Sequence, residues 1–111
     1  LVVVDDASDD RTADIVAEAA RLDPRIRLHR NPRRLGVNAN FAHAFSLCRG
    51  AFIAPCDQDD VWSPHKIESL LGAIGDADLA YGDSAVVDAV GRRTGDTLGA
   101  QRRMAHGRGH V

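Results

Sequence analysis

Apolar and polar positions alternate along this chain in two rhythms, and the switches between them mark its elements. Leu1 to Val4 is a continuous apolar run rich in valine, which predicts a strand buried on both faces of a parallel sheet. From about Arg11 to Leu22, Ile15, Ala19 and Leu22, flanked by Val16 and Ala20, fall at helical spacing. Ser8 is the predicted N-cap, with Asp9 and Asp10 in the first turn, and Asp23-Pro24 ends the helix. Ile26 and Leu28 alternate with Arg25, Arg27 and His29, the pattern of a short strand with one wetter face. Asn31 to Gly36 reads as a loop. A second helix is predicted over Val37–Cys48, with Phe41, Ala44, Phe45 and Cys48 on one face and Gly50 as its C′ residue.

Ala51 to Ala54 is a further apolar run, predicted as a buried strand. Ser63-Pro64 marks the start of a third helix, whose stripe is Ile67, Leu70, Leu71 and Ile74 and whose stop is Gly75. Leu79–Tyr81 and Ala85–Val87 read as a strand pair or one interrupted strand, with Asp88–Gly91 as a turn. The period fails after about Arg93, so 94–111 is expected to be an irregular tail behind a domain over 1–93. The alternation of strand and helix argues for an α/β sandwich with a mostly parallel sheet. In such sheets ligands bind beyond the C-terminal ends of the strands. Two acidic clusters, Asp5-Asp6 and Asp57 to Asp60, fall at predicted strand exits.

Composition narrows the classes. At 111 residues the chain is one domain at most, and a net charge of −2 gives no electrostatic footprint for nucleic acid. Cys48 and Cys56 form neither a disulfide framework nor a Cys-x-x-Cys metal pair. The five histidines are scattered, which argues against zinc. No run approaches the length of a transmembrane helix and no signal-peptide pattern is present. A cytoplasmic location is the default. The chain opens inside an apolar run, so it reads as a fragment cut at both ends.

The chemistry concentrates at Cys56-Asp57-Gln58-Asp59-Asp60-Val61-Trp62. Three carboxylates within four residues repel one another, and a divalent cation relieves that conflict. An acidic solvated turn is the alternative. Arg33 and Arg34 are placed to pair with a diphosphate or simply to face water. His65 reads as a surface helix residue, and Trp62 as packing under the acidic loop.

With Val4-Asp5-Asp6-Ala7-Ser8 and Asp57-Gln58-Asp59-Asp60-Val61-Trp62 in hand, the chain resembles glycosyltransferase family 2, over about Leu1 to Gly91. Asp10 and Thr12, Asn31 with Leu35-Gly36-Val37, Asn38-Ala39-Asn40-Phe41, Pro64 and Lys66, Tyr81-Gly82-Asp83, and Val87-Asp88 with Gly91 follow in family order. The acidic segment is most like that of the rhamnosyltransferase-like branch. The resemblance implies a GT-A, Rossmann-like three-layer sandwich, truncated here at both ends. It also implies inverting transfer of a hexosyl unit from a nucleotide-diphosphate sugar to a saccharide or lipid-linked acceptor, assisted by Mg²⁺ or Mn²⁺, in cell-envelope polysaccharide synthesis. By the same resemblance Asp59 contacts the metal, and Asp57 completes the DxD motif, serving the ribose or the metal. Asp6 accepts a hydrogen bond from the nucleotide base, with Asp5 beside it. Asp60 takes a lesser part. A peripheral place at the inner face of the membrane would depend on segments outside this chain.

The chain departs from the family pattern at several points. A preceding Pro-x-Tyr-Asn strand and its helix are absent. No residue corresponds to the general base, which is expected downstream, so no catalytic residue is assigned within this chain. Ala7 stands where the family has glycine, a change that a negative φ would accommodate. Cys56 replaces a small or apolar residue. Two other readings stay open: a donor-binding fragment without turnover, and a phosphoacceptor receiver domain with Asp57 as its phosphorylated residue.

Overall fold

The computed structural model describes residues 1–102. The chain forms two compact units, Leu1–Gln58 and a second that begins at Asp59. The first unit is built on a two-stranded parallel sheet. Strand β1 (Val2–Asp5) pairs with β2 (Arg27–Arg30), placing Val2 opposite Arg27 and Asp5 opposite Arg30. A parallel pair needs a crossover, and helix α1 (Thr12–Leu22) supplies it, packing on both strands. Helix α2 (Val37–Ser46) packs on β1. Buried apolar residues are few: Ala13 on α1 is the core residue, and Asp5 and Asn31 are the buried polar ones.

The strand, helix, strand and loop of the first forty residues fall where the periodicity predicts them, but the α1 cap does not. Ser8 caps nothing. The helix starts at Thr12, whose N–H is accepted by Asp10 Oδ1 at 2.8 Å, while the Ser8 N–H points back to the Asp5 carboxylate. Hydrogen bonds from Thr12, that of its side chain first and that of its N–H second, hold the Asp10 carboxyl below its ordinary value. Six residues of turn separate strand exit from helix, because the turn is organised by Asp5 rather than by the helix.

The apolar run Ala51–Ala54 is not a strand among the described residues, and Phe52 and Ile53 are exposed. A strand exists only with a hydrogen-bonded neighbour. β2 occupies one edge of β1, and among the described residues no strand lies along the other. Phe52 and Ile53 instead border an apolar cleft of about 370 Å³, with Val2 and the α2 face. The predicted face of α2, Phe41, Ala44, Phe45 and Cys48, lines this cleft, and the two rings tilt against each other at 5.9 Å.

In the second unit α3 (Lys66–Ile74) begins two residues beyond the predicted proline start. Ser63 still serves the helix entry, its Oγ accepting from His65 N–H and its carbonyl from Lys66 N–H. Strand β3 (Ala85–Val87) does not pair with Leu79–Tyr81, which is not a strand. It forms an antiparallel hairpin with β4 (Arg93–Thr97), followed by the short helix α4 (Leu98–Arg102). Residues 94–102 are thus ordered where an irregular tail is expected; the rest of that predicted tail, 103–111, lies outside the described residues. The hairpin depends on its turn. Asp88 Oδ1 accepts from the N–H groups of Val90 and Arg92, and Gly91 takes a φ of 79°. β4, Arg-Thr-Gly-Asp-Thr, carries no apolar alternation, so it is invisible to a hydrophobic pattern.

Candidate functional site

The first acidic cluster is a built structure. Asp5 ends β1 with its side chain 1% exposed, and Arg30, the residue opposite on β2, meets it at 3.0 Å. The same guanidinium also donates to the Ser8 carbonyl, so Arg30 clasps both ends of the turn. Between them Ala7 adopts a φ of +56°, the left-handed region. The expectation of negative φ at Ala7 is therefore corrected. The tight return of Ser8 N–H to Asp5 demands this conformation, which a side chain bears at a cost.

Asp6, next along, reaches away to the loop after β2. Its Oδ1 accepts from Leu35 N–H and Asn31 Nδ2, and its Oδ2 from Gly36 N–H, each at 2.8 Å. Gly36, at a φ of 84°, turns the chain into α2. These hydrogen bonds, that from Leu35 first, hold the Asp6 carboxyl below its ordinary value despite some desolvation. Each carboxylate oxygen accepts about two hydrogen bonds, so Oδ2 keeps one position open.

Asn31 sits at the centre. It is 3% exposed, and its backbone N–H extends the β1–β2 pairing to the Asp5 carbonyl. Its side chain touches Asp6, Asn40 and His43, and Asn40 Nδ2 in turn reaches the Val4 carbonyl at 3.1 Å. Sequence reasoning marked Asn31 and Asn40 only as part of a resemblance and passed over Arg30 and His43. No local pattern marks them, since a strand exit, a loop and a helix face meet only in three dimensions.

The second acidic stretch is open. Asp57, Asp59 and Asp60 are all exposed, and among the described residues no hydrogen bond or ion pair engages their carboxylates. Asp57 closes the first unit and Asp59 opens the second. Among the described residues no group of three or more His, Cys, Asp or Glu side chains is gathered to hold a metal ion. The donor type fits a hard cation that keeps most of its waters, and free carboxylates are available to it. Trp62 is half-buried beyond this stretch, with Lys66 Nζ 4.4 Å from its ring centroid. Its indole N–H is buried without a hydrogen-bond partner among the described residues. His65 is a surface residue beside Glu68. Arg34 lies 3.5 Å from Asp9, both exposed, and Cys56 is exposed at the rim of the apolar cleft.

The family model for glycosyl transferase family 2 matches residues 1–108. The chain belongs to this family. Its α/β fold with a small parallel sheet is accordingly of the GT-A type. An uncharacterized protein of Mycobacterium tuberculosis is 39% identical over 73 residues, covering 64% of this chain and 21% of that protein. A Bacillus subtilis protein named as a glycosyltransferase, EpsH, is 35% identical over 77 residues, 68% of this chain and 22% of its own. A second one, TuaG, is named as a glycosyltransferase of teichuronic acid biosynthesis. It is 31% identical over 71 residues, 64% of this chain and 28% of its own length. The chain thus spans between a fifth and a third of the length of these relatives. No solved structure matches it. Family membership sets aside the receiver-domain reading of Asp57.

Proposed function

We propose that this chain is the donor-binding part of an inverting glycosyltransferase that takes its sugar from a uridine or thymidine diphosphate carrier. The observation that carries the reading is Asp6, a carboxylate fixed at a strand exit by three N–H donors with one acceptor position left on Oδ2. Uracil and thymine present an imide N–H that such an acceptor receives. Cytosine presents a lone pair there and is refused. Asp5 belongs to the same set through the turn it shapes rather than through contact, because Arg30 and Ser8 already engage it.

In this reading Asp59 holds a Mg²⁺ or Mn²⁺ ion, with Asp57 serving the ribose or a metal-bound water. The exposure of both carboxylates supports it. The ion's contribution is charge neutralisation on the departing diphosphate. Asp60 stays in reserve beside them. The general base that accepts the acceptor's proton, and the acceptor site itself, lie outside these residues. This chain alone is then a binding fragment without turnover. The Asp57–Trp62 segment supports a rhamnosyltransferase-like branch. The name of the TuaG relative, a glycosyltransferase of teichuronic acid biosynthesis, supports a saccharide acceptor; a lipid-linked acceptor and a place in the cytoplasm at the inner face of the membrane are part of the proposal. No helix among the described residues is long and apolar enough to cross a membrane, so attachment there would use other segments.

Calorimetry with uridine and thymidine diphosphate, in Mg²⁺ or Mn²⁺ and again in chelator, tests the proposal. Binding is expected only with metal. Equal affinity in chelator refutes the metal role, and absence of binding by both nucleotides refutes the donor reading.

A further inference from the structure

We propose that His43, through Asn31, is a positioning residue for Asp6: its Nδ1–H locks the one amide orientation that lets Asn31 hold the carboxylate. Groups with a single hydrogen-bonding role set the direction of each bond around Asn31. The Val4 carbonyl only accepts, so Asn40 must present Nδ2 to it, at 3.1 Å. Asn40 Oδ1 then faces Asn31. The ionised Asp6 carboxylate only accepts as well. Two acceptors, Asn40 Oδ1 and Asp6 Oδ1, thus meet Asn31 on one side, both at 2.8 Å, and require its Nδ2 there. Asn31 Oδ1 is left pointing at His43 Nδ1, also at 2.8 Å.

An acceptor at that distance requires a proton on Nδ1. A lone pair on Nδ1 would set two acceptors against each other, and Asn31 is 3% exposed, so water offers little relief. Turning the Asn31 amide to suit such a ring would aim its oxygen at the Asp6 carboxylate and at Asn40. His43 is therefore the end of a chain running Val4, Asn40, Asn31, His43, with Asp6 hung from its middle. The residues come from β1, the loop after β2 and α2, so the relay also ties the start of α2 to the strand exit. Among the described residues nothing engages Nε2.

The functional half of this inference rests on the donor reading above; the relay itself does not. Three measurements on the full chain test it. Long-range ¹H–¹⁵N spectra about two pH units above the ordinary imidazole value of about 6.5 are expected to show a protonated Nδ1 and a pyridine-type Nε2. Free imidazole side chains favour the opposite tautomer, and finding it here overturns the proposal. His43→Leu removes the donor, and His43→Asn returns an N–H near the Nδ1 position. The Leu and Asn variants are compared at the Leu35 and Gly36 amide resonances. A shift in Leu that Asn reverses is expected, and no shift in either overturns the relay. Titration with uridine diphosphate and Mg²⁺ supplies the last arm. A loss of about tenfold in affinity for His43→Leu, the size of one hydrogen bond of about 1.4 kcal/mol, with Asn within about threefold of the native chain, supports positioning. Native binding that His43→Leu leaves unchanged overturns the positioning role alone, whereas a native chain that does not bind the nucleotide overturns the donor reading. Should the Leu variant fail to fold, the tautomer of the native chain still decides.

Discussion

Ala7 between Asp6 and Ser8 is the sharpest place to test whether the acidic turn is built as described. Its φ of +56° is left-handed, and it is the one non-glycine residue in that region among the described residues. An L-residue pays roughly 1–2 kcal/mol there. Ala7→Gly removes that strain. It also frees the unfolded chain, which opposes folding by about 0.4–1 kcal/mol. The difference is a net gain of about 0.5–1 kcal/mol, a further 2- to 5-fold protection of amides that exchange through opening of the first unit. Val3 and Leu28, paired in the β1–β2 ladder, are the amides to follow by native-state hydrogen exchange. Ala7→Val should move the other way by more, because a β-branched side chain tolerates positive φ least. A destabilised glycine variant, or a valine variant as stable as the native chain, would refute the left-handed turn and with it the way Ser8 N–H returns to Asp5.

Acid should open the Asp6 loop by a predictable route. Its carboxyl is held below the ordinary 3.8, so its contribution is complete above that value and is lost as pH falls through the lower folded one. The Leu35 and Gly36 amide resonances should therefore shift below pH 3.8 in the native chain, and an Asp6→Asn variant should lack that transition. At the open stretch, Asp59→Asn should abolish metal-dependent binding of uridine diphosphate by calorimetry, while Asp88→Asn should leave it intact. Asn retains the oxygen that accepts from Val90 and Arg92, so the hairpin survives; equal damage from Asp88→Asn would show that the site is misassigned.

Periodicity alone was enough to place α1, β2 and α2, because each carries a regular repeat of apolar positions. It also exposed the chemistry of Asp5-Asp6 and Asp57–Asp60, because clustered carboxylates are visible in one dimension. It misled wherever an element depends on a partner. Ala51–Ala54 has the composition of a strand, yet among the described residues no neighbour pairs with it, and an unpaired run leaves its backbone groups to water. β4 has no hydrophobic pattern at all and exists because Asp88 and Gly91 turn the chain back onto β3. The roles within the first cluster were likewise beyond one dimension. Asp5 and Asp6 are adjacent and chemically identical, but successive residues at a strand exit point opposite ways. One carboxylate is therefore buried against Arg30, and the other is aimed at Asn31, Leu35 and Gly36. Only the fold brings Asn31, Asn40 and His43 together, from a loop and a helix more than two dozen residues beyond the strand they serve.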